Sequence, residues 1–302
     1  MAVKAEKPAS PRFPGRSSGL KRAAGLAFAA AIFGLFALIA LASGDAATGI
    51  RQNAGDAAAK RIDDVLRKSN ASLSRYYGSK SDLMPAVVVG FSEAELEALW
   101  VEAFGADALS DDLRPLLAAS CDPVDWGGFS KADRIGLCMP PDARERLGAA
   151  QLDDRLRIQL ETVLSHEVFH VFQHAIVADR AADLEPQDWG AEWLIEGWAQ
   201  YFATQTVLND DQRARYFRTI EKSVEAPKDL AALEAYGTIL ENSGDLYTHG
   251  MLAARLLAKE NGDASIVDFL QRIADGSDWR TAFNAAFALP VEAFYARYLE
   301  SF

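Results

Sequence analysis

The sequence predicts a mostly helical α+β fold, in which a small N-terminal sheet packs on one long helix, an all-helical half follows, and a membrane-crossing helix precedes both. Three observations carry this expectation. Strand signals are confined to the first half, at Ala86–Phe91 and Ile135–Met139, where short apolar runs sit beside Pro or Gly. From about residue 152 onward, apolar residues recur at helical spacing almost without interruption. Near the start, Ala23 to Ala42 is an uncharged apolar run of 20 residues, about the length a helix needs to cross a bilayer.

Charge sorts the chain into parts. Residues 1–22 carry Lys4, Lys7, Arg12, Arg16, Lys21 and Arg22 against Glu6, a balance of +5, so the remainder holds −17 of the chain's net −12. A body this acidic speaks against nucleic acid as a partner, because phosphate contacts need clustered Lys and Arg. The basic segment before the apolar run keeps the N-terminus in the cytoplasm and sends the rest across. The run exceeds the usual 7 to 15 residues of a signal core, so an uncleaved anchor is preferred. A signal cleaved after Ala40-Leu41-Ala42, near Ser43, is the alternative. The resulting division is 1–22 basic cytoplasmic segment, 23–42 anchor or signal, 43–55 small polar linker, and 56–302 a single domain on the periplasmic or extracellular side. The only two cysteines, Cys121 and Cys138, lie in the exported part, where a bridge is expected.

Within the domain, Ile62, Val65, Leu66 and Leu73 recur at helical spacing up to Tyr77-Gly78. A strand over 86–91 follows, then Ser92-x-x-Glu95 as a capping box opening a helix through Trp100 and Phe104. Residues 109–148 read as short and irregular apart from the strand at 135–139, whose free edge could hold an extended peptide. A long helix from about Leu152 to Val177 comes next. After it, helices are expected over 188–207, 210–224, 245–260, 264–274, 278–288 and 291–300.

The long helix carries His166-Glu167-x-x-His170. Residues four apart on a helix stand one above the other, so both imidazoles can reach one ion, while Glu167 stands beside the open position where a water would bind. A zinc-bound water has its pKa lowered to about 7, and a neighbouring carboxylate can take its proton. The chain holds four histidines, and three of them, His166, His170 and His174, fall within nine positions. A rise of about 1.5 Å per residue puts His174 roughly 12 Å from His166, too far to share the ion, so it reads as a supporting or surface residue.

Two histidines leave a zinc site one protein ligand short. The stretch Trp193-Leu194-Ile195-Glu196-Gly197-Trp198-Ala199-Gln200-Tyr201 offers Glu196, a carboxylate amid aromatic and small residues where an uncompensated charge is costly. It resembles the WLxEGxAxY segment of the gluzincin metallopeptidases, and the resemblance implies Glu196 as third ligand. Glu192 is the fallback, since the spacing from His170 is longer than in the best-known members. Gln200, one turn after Glu196, could orient an imidazole through its amide oxygen. Leu246-Tyr247-Thr248-His249-Gly250-Met251 is similar to the YxxG segment of the aminopeptidase-like branch, whose tyrosine stabilises the oxyanion, whereas thermolysin-like members use a histidine. Tyr247 and His249 point to nearly opposite sides of a helix, so one of the two faces the metal, with Tyr247 preferred. The aromatic tail over 276–294 is similar to the helices that close small gluzincin-like domains and reads as core. The resemblance covers roughly residues 80–302.

It implies a membrane-tethered or exported zinc peptidase acting on peptide or protein substrates. No acidic N-terminus-binding motif lies near Ile135–Met139, which favours an endopeptidase over an aminopeptidase. Two rivals share the same ligands: a non-catalytic zinc-stabilised membrane-bound interaction module, which has no need of Glu167, and a zinc hydrolase acting on a non-peptide amide.

Overall fold

The computed structural model describes residues 56–302, apart from 81, 111–112, 122–126, 150–151, 179, 181–183, 185 and 236–237. The basic segment, the apolar run 23–42 and the linker therefore lie outside the described residues. Among the described residues no helix is long and apolar enough to cross a membrane.

Helix α1 (Asp56–Tyr77) turns a stripe of Val65, Leu66, Leu73 and Tyr77 inward, and ends at Gly78, whose φ of 68° a residue with a side chain rarely adopts. Strand β1 (Ala86–Gly90) leads through Ser92 into α2 (Glu93–Phe104). Half of the expected capping box is present: the Ser92 hydroxyl accepts from the Glu95 N–H at 3.3 Å. The Glu95 carboxylate accepts instead from the Phe91 N–H at 3.1 Å and also pairs with Arg144.

Three elements fall in the stretch that the sequence leaves irregular: α3 (Leu113–Ser120), β2 (Gly128–Lys131) and α4 (Ala143–Gly148), with β3 (Arg134–Cys138) between the last two. Each of the three is four to eight residues long, too short to show a period, and β2 is a strand only because β3 pairs with it. The sheet order is β1-β3-β2, with β1 parallel and β2 antiparallel to β3. This corrects one expectation: β3 is central and has no free edge, and β2 is the edge strand on that side.

The sheet is covered on both faces, which is why β1 and the interior of β3 read as apolar runs rather than alternating ones. Val87, Val89, Ile135 and Leu137 face the main core, while Val88, Cys138 and Phe129 join a second cluster with Leu96, Trp100, Leu113, Leu116 and Leu117. Gly136 belongs to that second face because a Cβ there would stand 2.3 Å from the Phe129 ring. A Cys121–Cys138 disulfide, spanning 17 positions with Cα atoms 5.1 Å apart, ties the end of α3 to β3 and closes the loop that contains β2. A loop of this size is stabilised by about 3 kcal/mol in the chain-entropy account.

Helix α5 (Asp154–Val177) carries the motif and is capped by the Asp153 carboxylate, which accepts from the Leu156 N–H at 3.0 Å. The helix expected over 188–207 is two: a short α6 (Pro186–Trp189) and α7 (Glu192–Val207), separated by Gly190 at φ 140°. Helix α7 is the centre of the molecule, packed against α5 and against α9 (Thr238–Asn261), with α1 also touching it. Trp193, Leu194, Trp198, Ala199, Phe202 and Ala203 are buried on its several sides, so it shows no polar stripe. Helix α9 starts seven residues before the expected 245. Helix α8 (Asp210–Ser223) bears the Asn209/Gln212 capping box. Helices α10 (Ser265–Ala274), α11 (Trp279–Phe287) and α12 (Val291–Glu300) close the far side, where Phe283, Phe287 and Phe294 are core residues, as expected. Trp193 stacks on Phe294 at 5.7 Å.

Candidate metal centre

Helices α5 and α7 meet where the sequence places the motif. His166 and His170 stand one turn apart on α5, and Glu196 projects from α7 opposite them. The three converging atoms are His166 Nε2, His170 Nε2 and Glu196 Oε2, separated by 3.0 Å between the imidazoles, 3.1 Å from His166 to Glu196 and 3.3 Å from His170 to Glu196. All three residues are buried or nearly so. A first-row metal bound tetrahedrally at about 2.0–2.2 Å sets its ligand atoms ~3.3–3.5 Å apart, so the cluster has the size such an ion needs.

The donor set points the same way. His166 Nδ1 lies 3.2 Å from Gln200 Oε1, and His170 Nδ1 lies 2.7 Å from Gln173 Oε1. An amide oxygen only accepts, so each Nδ1 carries its proton and each Nε2 of the neutral ring presents a lone pair. Two lone pairs and a carboxylate oxygen then converge within about 3 Å, an arrangement that is repulsive unless a cation sits among them. Without an ion, a proton on His170 can take that place. Burial opposes charge on His170, yet Glu196 first and Glu167 next outweigh it and raise its pKa to about 9. Burial likewise pushes Glu196 up, but His170 and His166 hold it well below the usual carboxylate range. The cluster selects positive charge. His166, His170 and Glu196 form a buried group that could hold a metal ion.

Glu167 lies beside this cluster against β2. A Cβ on Gly128 would come within 2.9 Å of the Glu167 Cγ, so glycine at that position lets the strand close on the carboxylate, which the Ser130 side chain also hydrogen-bonds. Burial raises the Glu167 pKa, and the two imidazoles pull it partly back. A carboxylate made more basic in this way is a better proton acceptor.

Tyr247 reaches the centre from α9, its ring edge-on to His166 at 5.5 Å and 82°. Burial first, then Glu196, Glu167 and Glu192, raise its hydroxyl well above the ordinary value of 10, so it stays a neutral donor. Its position depends on the crossing of α7 and α9. A Cβ on Gly197 would stand 2.3 Å from the carbonyl of Gly250, and one on Gly250 would stand 2.6 Å from the Trp193 oxygen, so the two backbones touch only because both residues are glycine.

His249 is not part of the centre. Two positions on from Tyr247, it faces α12, where its Nδ1 lies 2.8 Å from the Tyr298 hydroxyl. His174 is buried rather than on the surface, its ring 4.8 Å from that of Trp189, and burial followed by the charge on His170 lowers its pKa to about 3. Glu192 is buried one turn before Glu196 but does not join the three-residue group, so the fallback ligand is set aside. Gln200 does hold His166, as its spacing implies, and is itself hydrogen-bonded to the Tyr216 side chain of α8. Sequence reasoning missed Gln173, although its place three residues after His170 on one helix face was a usable signal. It also missed Ser130 and Tyr216, for which only tertiary contact gives a signal.

Compared with known protein families, curated proteins and solved structures, the chain matches none.

Proposed function

We propose that this chain is a zinc-dependent peptidase of the gluzincin type, held to a membrane by residues 23–42 or exported, and acting as an endopeptidase. The observation that supports it most directly is Glu167: a buried carboxylate with a raised pKa stands beside three converging metal-binding atoms, where a purely structural site needs no base. A His₂Glu set of borderline ligands suits zinc, with His166, His170 and Glu196 holding it. Bound there, the ion supplies a Lewis acid that polarises a carbonyl and lowers the pKa of a water to about 7. Glu167 takes the proton of the attacking water and returns it to the leaving amine. Tyr247 donates its hydroxyl hydrogen to the oxygen that becomes negative, and the amides of Gln200 and Gln173 keep the two imidazoles oriented.

A peptide substrate is favoured because the edge strand β2 runs past Glu167, and an edge strand can align an extended chain by backbone hydrogen bonds. Placement of the domain outside the cytoplasm is favoured by the Cys121–Cys138 bridge, since disulfides persist in oxidising compartments.

The test is zinc analysis of the purified chain together with cleavage of a peptide mixture, for wild type and Glu167→Gln. About one zinc per chain is expected in both. The amide cannot accept the proton, so turnover should drop about 10²- to 10⁴-fold with the thermal melt unchanged. Wild-type turnover in Glu167→Gln, or no cleavage of any peptide by the zinc-loaded chain, would transfer the site to a scaffold or to another amide substrate.

A further inference from the structure

We infer that Gln173 is a positioning residue that sets which nitrogen of His170 faces the metal and locks that imidazole to the helix carrying the third ligand. This rests on the metal centre proposed above and concerns how it is assembled. Gln173 is buried, on α5, and its amide makes two bonds that point in opposite directions. Nε2 donates to the carbonyl oxygen of Ile195 at 3.1 Å, and Oε1 stands 2.7 Å from His170 Nδ1.

The first bond determines the second. A peptide carbonyl can only accept, so the NH₂ end of the amide must face Ile195, which leaves the oxygen facing His170. An oxygen facing Nδ1 requires the proton on Nδ1, and so the lone pair of the neutral ring on Nε2, the atom 3.3 Å from Glu196 Oε2. The carbonyl that starts this chain belongs to the peptide group leading into Glu196. One amide thus spans α5 and α7 and constrains a ligand on each: His170 directly, and Glu196 through the backbone next to it.

Its counterpart on the other imidazole, Gln200, is itself on α7 and is held in addition by Tyr216 of α8. Both amides therefore link the two ligand-bearing helices, Gln200 from α7 to the His166 ring of α5 and Gln173 from α5 to the α7 backbone; only the Gln173 bond reaches the peptide group next to the third ligand. Removing it frees the His170 ring to rotate and lets α7 shift against α5, and both raise the cost of bringing the three ligand atoms within reach of one ion.

The experiment uses the full chain and measures zinc affinity by chelator competition, together with nitrogen NMR of the zinc-loaded protein, in which four histidines are readily told apart. Gln173→Met keeps the volume and loses both bonds. Its zinc dissociation constant should rise about 10- to 100-fold, and the His170 Nδ1–H, slow to exchange in wild type, should exchange freely. Gln173→Glu keeps an oxygen towards Nδ1 but cannot donate to the Ile195 carbonyl, so it should retain the slow Nδ1–H while losing the tie to α7 and part of the affinity. A Met variant that binds zinc within twofold of wild type with its Nδ1–H still protected overturns the inference. Should the Met variant fail to fold, an unprotected Nδ1–H in Gln173→Glu, or an affinity within twofold of wild type in that variant, overturns it equally. Failure of the underlying metal reading looks different, because wild type itself then takes up no zinc.

Discussion

Tyr247 and His249, two positions apart on α9, show how much a single residue's direction settles. Tyr247 stands over His166, and His249 bonds Tyr298 on the opposite side of the helix. Tyr247→Phe should leave zinc content unchanged and lower turnover on peptides about 10²- to 10³-fold, as for loss of one oxyanion donor, in steady-state assays at fixed zinc. An unchanged rate would remove Tyr247 from the mechanism. His174 makes a different residue-scale prediction, about pH. Its folded-state pKa is depressed to about 3, below the ordinary 6.5, so as pH falls through 6.5 the unfolded chain takes up a proton that the folded chain refuses. The stability that neutral His174 contributes is complete above pH 6.5 and is lost as pH falls towards 3, by at most about 1.4 kcal/mol per pH unit. Urea midpoints at pH 7 and pH 4 should therefore differ less in His174→Phe than in wild type. Equal pH dependence in the two proteins would mean that this buried imidazole does not govern acid unfolding.

At the scale of elements, the centre depends on two helices packed backbone to backbone. Glycine in the middle of a helix ordinarily costs roughly 0.5–1 kcal/mol against alanine, so Gly197 and Gly250 must be favoured by what the contact brings about. The contact places α9, and with it Tyr247, against the helix that carries Glu196. In Gly197→Ala the new methyl meets rigid backbone at 2.3 Å rather than a flexible side-chain end, so the helices must part. A loss of about 1–3 kcal/mol or more is expected in chemical denaturation, and zinc affinity should fall with it. A Gly197→Ala protein with wild-type stability and affinity would show that the crossing does not set the site. On the other side of the centre, β2 has a single large apolar residue, Phe129, and owes its place to pairing with β3 and to the Cys121–Cys138 bridge that closes its loop.

At the scale of the whole molecule, the two halves have different tasks. The sheet, clamped between α5 and the second cluster around Trp100, brings a strand edge to Glu167. The helical half surrounds α7 and buries Glu196 in a setting dry enough to strengthen every charge interaction in it. The proposed placement of this domain across a membrane has its own test. A reporter that works only outside the cytoplasm, fused after Phe302 in a bacterial host, should be active, and the protein should stay with membranes after high-salt washing. Activity of a cytoplasm-only reporter would reverse the topology, and release with a new N-terminus near Ser43 would identify residues 23–42 as a cleaved signal.

The sequence by itself determined the helical half and the three residues that converge in the candidate metal centre. Long helices announce their period, so α5 and the last three helices fall within two residues of expectation, and His166, His170 and Glu196 are legible from helical spacing and from a carboxylate placed among apolar neighbours. Gln200 was legible for the same reason, one turn after Glu196. Only the tertiary structure decided that β3 is central and β2 the edge, that α9 begins early, that Tyr247 and not His249 faces the His166, His170 and Glu196 group, and that Gln173 ties α5 to α7. The physical reason is common to these. Strand order, helix rotation and the partner of a buried amide are settled by contacts between segments far apart in the chain, and such contacts leave no period in either segment.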